Sequence, residues 1–487
     1  MLFLGFSAGI PILLIFSTLS VWLREAGVER ATVTFFSWAA LGYSFKFVWA
    51  PLVDRLPLPK VIYQMGRRRS WLLVSQFAIV MAILWTSSFD PQTTVMMTAV
   101  GAVLIGFASA TQDIVIDAYR IESAKEEMQS MLSAMYIAGY RVGMLVAGAG
   151  GLWLADYWAE DHYNYAVWAN VYRVMAVMML IGIVTTLIIR EPHRAPADSV
   201  FHSTSDYLRF LLLFLFSVTA FVTAFVVSGS PSQWLKLWLV NDVGMMSRLA
   251  GFLVEILRLA IAIALAAMIA WVLVGRGLVS RAHVRETYIE PVADFFRRYG
   301  YSAIIVIALI GTYRIADIVM GVIANVFYLD IGFTKTQIAM YSKFWGLWAT
   351  IGGGLLGGIL SVRYGVNRTM FLGAVLAAAT NLLFAYLATQ EPETMLLLWV
   401  IVADNASAGL ATAAFVAYLS SLTSIAFTAM QYAIFSSVMT LVPKILAGYS
   451  GTVVDSVGYA MFFVGTAILG IPVLFLVVWA SRLSRRG

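Results

Sequence analysis

The chain has 487 residues, of which 61% are hydrophobic and 12% charged, and its mean hydropathy is +0.85. Soluble proteins carry about 25% charged residues, so this composition excludes a globule in water and describes an integral membrane protein. The net charge of +6 would suggest nucleic acid in a soluble domain but here fits basic cytoplasmic loops, and the absence of cysteine excludes disulfides, iron–sulfur clusters and thiolate metal sites.

Apolar runs long enough to cross a bilayer, about 20 residues each, recur along the whole chain. They predict helices over 2–23, 31–53, 71–88, 93–119, 129–154 and 166–189, then 207–228 and 249–275. Six more follow at 300–328, 335–361, 369–388, 394–420, 428–447 and 458–481, giving fourteen spans. The period-2 alternation of a membrane β-barrel is missing. The first run lacks a basic leader and a small-residue cleavage site, so it reads as a retained span. Charge bias supports the count. With the loop 55–70 in the cytoplasm, segments assigned inside hold 20 of the 32 Lys and Arg, and those assigned outside hold six. Removing one middle helix would move the Arg-rich stretch 276–299 outside, so parity places both termini in the cytoplasm.

A weak internal repeat accompanies this pattern. AGVERATVTFFS (26–37) resembles IGFTKTQIAMYS (331–342), and GRRRSWLL (66–73) resembles GVNRTMFL (365–372), with ATQ (110–112) against ATA (411–413). Their offsets agree near 300 residues, as expected of two six-helix halves in the same orientation, the plan of the major facilitator fold. The expected fold is thus all-α, with halves at 1–199 and 300–487. An inserted segment, 200–299, brings two extra helices and a stretch suited to the cytoplasmic membrane face.

Ionisable side chains inside the spans are costly and need a reason. Numbered without the inserted pair, helix 2 holds Lys46, helix 4 Asp113 and Asp117, and helix 5 Arg141. Helix 7 holds Arg314 and Asp317, helix 8 Lys343, and helix 10 Asp404 beside Asn405. Helices 3, 9 and 12 have none in their interiors, so the charges fall where such a fold lines its cavity and avoid where it meets lipid. Asp113 and Asp117 share a helix face, with Arg120 a turn further. A carboxylate drawn out of water can load and release a proton, which makes these two the candidates for proton coupling; the alternative is a structural ion pair. Arg120 reads as a basic residue of the cytoplasmic end. Arg141 and Arg314 lie near mid-span, where a guanidinium suits a substrate carboxylate or phosphate; the alternatives are internal pairs with Asp113 and Asp317. Lys343, Asp317, Asp404, Asn405 and Gln112 join them as candidate substrate contacts, and Tyr43, Tyr140 and Trp345 are candidates for stacking on sugar rings. Most other aromatics belong to interface belts or packing. Glu255 and Arg258 read as a self-satisfied pair. The glycines 352–354, 357 and 358 allow close helix contact and, lacking a following Lys-Ser/Thr, make no phosphate loop. APLVDR (50–55) with GRRR (66–69) resembles the cytoplasmic loop motif GxxxDRxGRR of major facilitators, split by ten extra residues; the resemblance implies that Asp54, Arg55, Arg67 and Arg68 clamp helix ends as a gate.

Several stretches resemble the AmpG family of muropeptide permeases: GFSAGIPILLIFSTLSVWLREAGV (5–28), FKFVWAPLVDR (45–55), GRRRSWLL, SATQDIVIDAYRIE (109–122), GYRVGMLV (139–146), YRIADIVMGVIANVFYLDIGFTKTQI (313–338) and KFWGLWATIGGGLLGG (343–358). The resemblance implies the major facilitator fold with two additional spans. It also implies proton-driven import of N-acetylglucosaminyl-1,6-anhydro-N-acetylmuramyl peptides across a Gram-negative inner membrane, for peptidoglycan recycling and with a link to β-lactamase induction. No cofactor or metal and no nucleic-acid partner is expected, and a monomer is. The chain starts within its first helix and ends seven residues after Ala480, so protein partners bound through long termini are not expected. Two other readings stay open: a carrier for another bulky anion such as an acetyl-CoA-like solute, and a membrane transferase or non-transporting sensor. No span contains the His or Cys, or a donor-binding motif, that a transferase would use.

Overall fold

A computed structural model describes residues 1–28, 43, 45–55, 65–158, 163–192, 204–447 and 449–483. Every regular element among them is helical. They separate into a larger unit, 1–195 with 294–487, and a smaller one, 196–293.

The first half of the larger unit runs through α1 (Leu2–Ile15), α2 (Ser17–Glu25), α3 (Ala50–Arg55), α4 (Arg67–Ser87), α5 (Pro91–Ser123), α6 (Gln129–Leu145), α7 (Gly151–Tyr157), α8 (Tyr165–Met178) and α9 (Leu180–Ile188). Local chemistry sets several starts. Asp90 accepts from the Gln92 amide at 2.9 Å with Pro91 in the first turn of α5, and Asn164 caps α8 through the Ala166 amide at 2.9 Å. The smaller unit holds α10 (Thr204–Val227), α11 (Gly229–Asn241) and α12 (Ser247–Gly275). The second half follows with α13 (Glu290–Tyr299), α14 (Ser302–Thr312), α15 (Ile315–Asp330), α16 (Gly346–Tyr364), α17 (Val366–Leu387), α18 (Thr394–Leu422), α19 (Thr428–Ala447), α20 (Ser450–Leu469) and α21 (Ile471–Leu483).

Thirteen helices among the described residues are long and apolar enough to cross a membrane. Most of the run 31–53 lies outside the described residues; its end tightens into a 3-10 turn at Lys46–Val48 before α3. The structure differs from the sequence reading in two respects. First, α11 is a helix where a connection was expected; at 13 residues it is too short to span, so the hydropathy pattern passes over it. Second, several expected single helices are broken. Helix 1 breaks at Phe16 (φ −114°, ψ −101°), and helix 7 breaks at Tyr313–Arg314, where Arg314 leaves helical geometry (φ −99°, ψ 15°). Helices 5 and 8 each contain a π-helical stretch, Val146–Gly150 and Ala339–Trp345. Apolar sequence continues across Phe16 and Val146–Gly150, and the charges at Arg314 and Lys343 do not by themselves announce a break in the backbone.

The repeat is written in the backbone. Gly27 and Gly332 both take left-handed φ (79° and 104°), as do Gly66 and Gly365 (96° and 89°), which directly precede α4 and α17. The 3-10 turns Glu126–Met128 and Ile425–Phe427 open α6 and α19 at the same 299-residue offset.

Each half has its own apolar core. In the first, Trp22 stacks on Trp168 at 6.0 Å and tilts against Tyr172 at 4.9 Å; in the second, Phe327, Phe384 and Phe463 form the centre. Large apolar side chains such as Ile188, Trp271 and Phe475 stand exposed, as lipid-facing residues do. Glycine allows the closest helix contacts. On α1, Gly5 and Gly9 meet the backbone of α6, where Gly139 and Gly143 meet α1 in return. A Cβ at Gly139 would lie 1.9 Å from the Leu2 carbonyl oxygen. Gly353 and Gly357 of α16 press likewise on α18, whereas Gly352 faces open space.

Candidate functional site

Three groups of polar side chains lie within the larger unit. The first belongs to the first half. Lys46 Nζ lies 3.5 Å from Asp117 Oδ2 on α5, and Arg120 Nη2 lies 3.5 Å from Asp117 Oδ1. One turn earlier, the Tyr136 hydroxyl of α6 donates to Asp113 Oδ1 at 3.4 Å. Asp113 is within electrostatic reach of Lys46 and Asp117, and of Tyr43 and Tyr140. Asp113 and Asp117 are both buried. Tyr43 donates to Ser109 Oγ at 2.6 Å. Asp113 thus bonds Tyr136 and lies within electrostatic reach of Lys46; a structural pair with Arg141 was the alternative drawn from the sequence, and the structure does not form it.

The second group joins the halves near mid-span. Arg314 fills the break in helix 7 and donates Nε to Asp317 Oδ2 at 3.1 Å, with a second, short bond from Nη2. Asp317 sits in the first turn of α15, where the helix N-terminus favours a carboxylate. Tyr313, Arg314, Asp317 and Thr412 line a pocket floored by the small residues Gly373 and Ala411. Arg141, on α6 of the other half, is exposed and within electrostatic reach of Arg314, Asp317 and Tyr140. Its guanidinium hydrogen-bonds none of the described residues. A guanidinium with no hydrogen-bond partner among the described residues, beside one held by a carboxylate, has the chemistry to receive an anion.

The third group closes the end that carries the basic loops. Arg68 is buried and bonds Asp54 Oδ1 at 2.7 Å and Glu122 at 2.6 and 3.0 Å. Arg67 donates to the Asp54 carbonyl at 2.6 Å. The second oxygen of Asp54 reaches the opposite half, accepting from the Met430 amide in the first turn of α19 at 3.0 Å. Arg120 Nη1 also crosses, donating to Ser420 Oγ of α18 at 2.8 Å. Gly358 of α16 packs beside Ser130 and Ala134 of α6.

The remaining candidates scatter. Asp404 accepts from Thr380 at 3.2 Å and lies within electrostatic reach of Asp317 and Tyr328. Asn405 ties α18 to α16 by accepting from Thr350 at 3.1 Å. Gln112 is buried inside the first half, accepting from Ser7 at 3.2 Å. Trp345 is exposed and packs edge-on against Phe344. The side chains of Lys343 and Arg55 lie outside the described residues. Sequence reasoning missed Glu122, Tyr136, Ser420 and Tyr432, and took Arg120 for a loop charge. Glu122 and Arg120 stand in the stretch SATQDIVIDAYRIE, but their partners are up to 300 residues away and leave no local signal.

The sequence profile of the Major Facilitator Superfamily matches residues 1–311. The chain is 29% identical to AmpG 4 of Rickettsia conorii over 98% of its length and 95% of that protein. It is 27% identical to the anhydromuropeptide permease of Escherichia coli K12, over 98% of its length and 78% of that protein. Among solved structures, the proton:xylose symporter XylE aligns with a TM-score of 0.59 at 11% identity, covering 98% of this chain and 92% of that one. The human organic anion transporter MFSD10 aligns at 0.59 and 12%, covering 98% and 97%. At such identities these structures speak for the fold alone.

Proposed function

Since the chain belongs to the major facilitator superfamily and is a multi-pass transporter, we propose that it imports anhydro-muropeptides from periplasm to cytoplasm by proton-coupled alternating access. The observation that carries this reading is the pair Arg141 and Arg314. They approach from opposite halves, and Arg141 hydrogen-bonds none of the described residues. A muropeptide has carboxylates for both guanidinium groups and sugar faces for Tyr140, Tyr43 and Trp345. The permease of E. coli supplies the substrate class. Asp113 carries the proton, with Asp117 beside it. Asp317, Asp404 and Lys343 border the path, and Gln112 and Asn405 brace the helices that line it. Asp54, Arg55, Arg67 and Arg68 form the cytoplasmic gate, and the bond from the Met430 amide to Asp54 across the halves supports a closed cytoplasmic end.

The protein acts as a monomer in a bacterial inner membrane with both termini cytoplasmic, and it returns cell-wall fragments for recycling. The muropeptide pool it feeds would link it to β-lactamase induction and antibiotic resistance. Uptake of labelled anhydro-muropeptide into proteoliposomes tests the proposal. Accumulation should require an inward proton gradient and collapse with an uncoupler. Uptake indifferent to the gradient would remove the proton from the mechanism. Absence of uptake by folded, inserted protein would remove the substrate and bring another bulky anion forward.

A further inference from the structure

Arg120 is enclosed on every side, with no solvent exposure. Its Nη1 donates to Gln129 at 3.2 Å and Ser133 at 3.0 Å on α6, and to Ser420 at 2.8 Å in the opposite half. Tyr432 of α19, also from the opposite half, places its ring 5.2 Å from the guanidinium carbon. Among the described residues Nε and Nη2 reach no acceptor at hydrogen-bond geometry, and Asp117 lies 3.5 Å from Nη2. Asp117 divides its two oxygens between Arg120 and Lys46. Asp113 acts on that pair from one turn away, and Tyr136 and Tyr432 face the same carboxylates from α6 and α19.

We propose that Arg120 is the coupling residue of this carrier, the group that turns protonation of Asp113 into release of the seam between the halves. The proposal rests on the proton-coupled reading above. With both carboxylates ionised, Lys46 and Arg120 are balanced by Asp113 and Asp117. A proton on Asp113 leaves one uncompensated positive charge in a dry cluster, and Lys46 then competes with Arg120 for Asp117. A buried charge without a counter-charge is strongly unfavourable. Arg120 enters this state already short of partners at Nε and Nη2, an expensive condition for a buried donor. Opening the seam relieves both faults, because water reaches the guanidinium as Ser420 and Tyr432 withdraw with their half. Loss of the proton to the cytoplasm restores the balance and favours closure. The sign is that of a symporter: proton loaded, cytoplasmic end open; proton gone, cytoplasmic end shut.

The chain has no cysteine, so labels can be placed without background. Glu127→Cys and Ala426→Cys fall on exposed residues of the two repeat-related 3-10 turns at this end. Spin-label distances between them would be measured in proteoliposomes at about pH 8 and about pH 5.5. Otherwise wild-type protein should shift toward longer distances on acidification, the open-to-closed ratio changing about 5- to 100-fold, the usual range of allosteric coupling. Asp113→Asn should give the long distance at both pH values. Arg120→Gln should lose the pH response and gradient-driven accumulation while still exchanging bound muropeptide. Should Arg120→Gln fail to fold, Ser420→Ala with Tyr432→Leu severs the same cross-half ties and should blunt the response equally. A wild-type pH response in Arg120→Gln or in the double variant overturns the proposal. So does the spin-labelled, otherwise wild-type protein if it accumulates muropeptide on a gradient while its label distances ignore pH. Uptake that ignores the gradient, in contrast, defeats the underlying proton-coupled reading.

Discussion

Replacing Asp54 by asparagine should bias the carrier toward its cytoplasm-open state. In the closed state, Asp54 Oδ2 accepts the buried Met430 amide at 3.0 Å, in the first turn of α19 of the other half. A carboxylate at a partly buried helix N-terminus contributes up to about 2 kcal/mol. Asparagine keeps an acceptor but surrenders the charge, so the closed state loses about 1–2 kcal/mol. The bond from Arg68 to Asp54 Oδ1 at 2.7 Å lies within the first half. Weakening it lowers overall stability but acts on open and closed states alike. Only the Met430 contact enters the equilibrium, which should therefore move about 5- to 30-fold, at about 1.4 kcal/mol per decade.

Cysteine accessibility can read that shift. Ser130 is fully buried at the closed seam, its hydroxyl has no hydrogen-bond partner among the described residues, and its backbone lies against Gly358 of the other half. Ser130→Cys is nearly isosteric, and its thiol meets a maleimide only when this end opens. The labelling rate should rise about 5- to 30-fold when Asp54→Asn is added, the same factor as the population shift. An unchanged or slower rate in folded double variant would refute the reasoning, because the cross-half bond would then not hold the gate.

Asp113→Asn should abolish gradient-driven accumulation in proteoliposomes while exchange of bound muropeptide persists; equal loss of both would make Asp113 a structural residue. Arg314→Lys removes the fork that meets a carboxylate in two places, so KM for uptake should rise about tenfold; a fall in Tm without a change in KM would refute substrate contact. Gly139→Ala should lower stability by about 1–3 kcal/mol, since its Cβ would lie 1.9 Å from the Leu2 carbonyl oxygen and force α1 and α6 apart. Gly352→Ala, facing open space, is the control; equal Tm values for the two would contradict the packing argument.

Hydropathy and charge bias were enough to expect an all-helical membrane protein, because the bilayer imposes length and apolarity on every span. The repeat was legible too: left-handed glycines at 27, 66, 332 and 365 stand in the stretches whose resemblance was weakest by residue identity. The break at Phe16 was not legible, since apolar neighbours on both sides hide a backbone change, and the charge of Arg314 marked a costly residue without saying that the helix breaks there. Among the polar residues, pairs three or four apart could be anticipated, and Arg314 with Asp317 and Arg258 with Glu255 are such pairs. Asp54 with Met430 and Arg120 with Ser420 could not, because each needs the packing of two halves 300 or more residues apart. The burial of Gln112 against Ser7 was not legible either, because charge pattern names a helix, not the face each of its side chains takes.

The charged groups also divide by depth, and that division suggests how one cycle uses them. Lys46, Asp113, Asp117 and Arg120 are balanced while no proton is bound, and they adjoin the closed seam. Arg141, Arg314 and Asp317 together carry one net positive charge and stand between the halves. An anionic substrate placed there neutralises that charge and, by engaging Arg141 and Arg314 at once, draws the two halves together around itself. A proton on Asp113 does the reverse at the seam, creating an imbalance that opening relieves. Substrate alone would close the cavity without opening its far end, and a proton alone would strain the seam without drawing the cavity shut. On this account coupling requires no direct contact between substrate and proton: each acts on the same two rigid halves, at a different depth and with opposite sign.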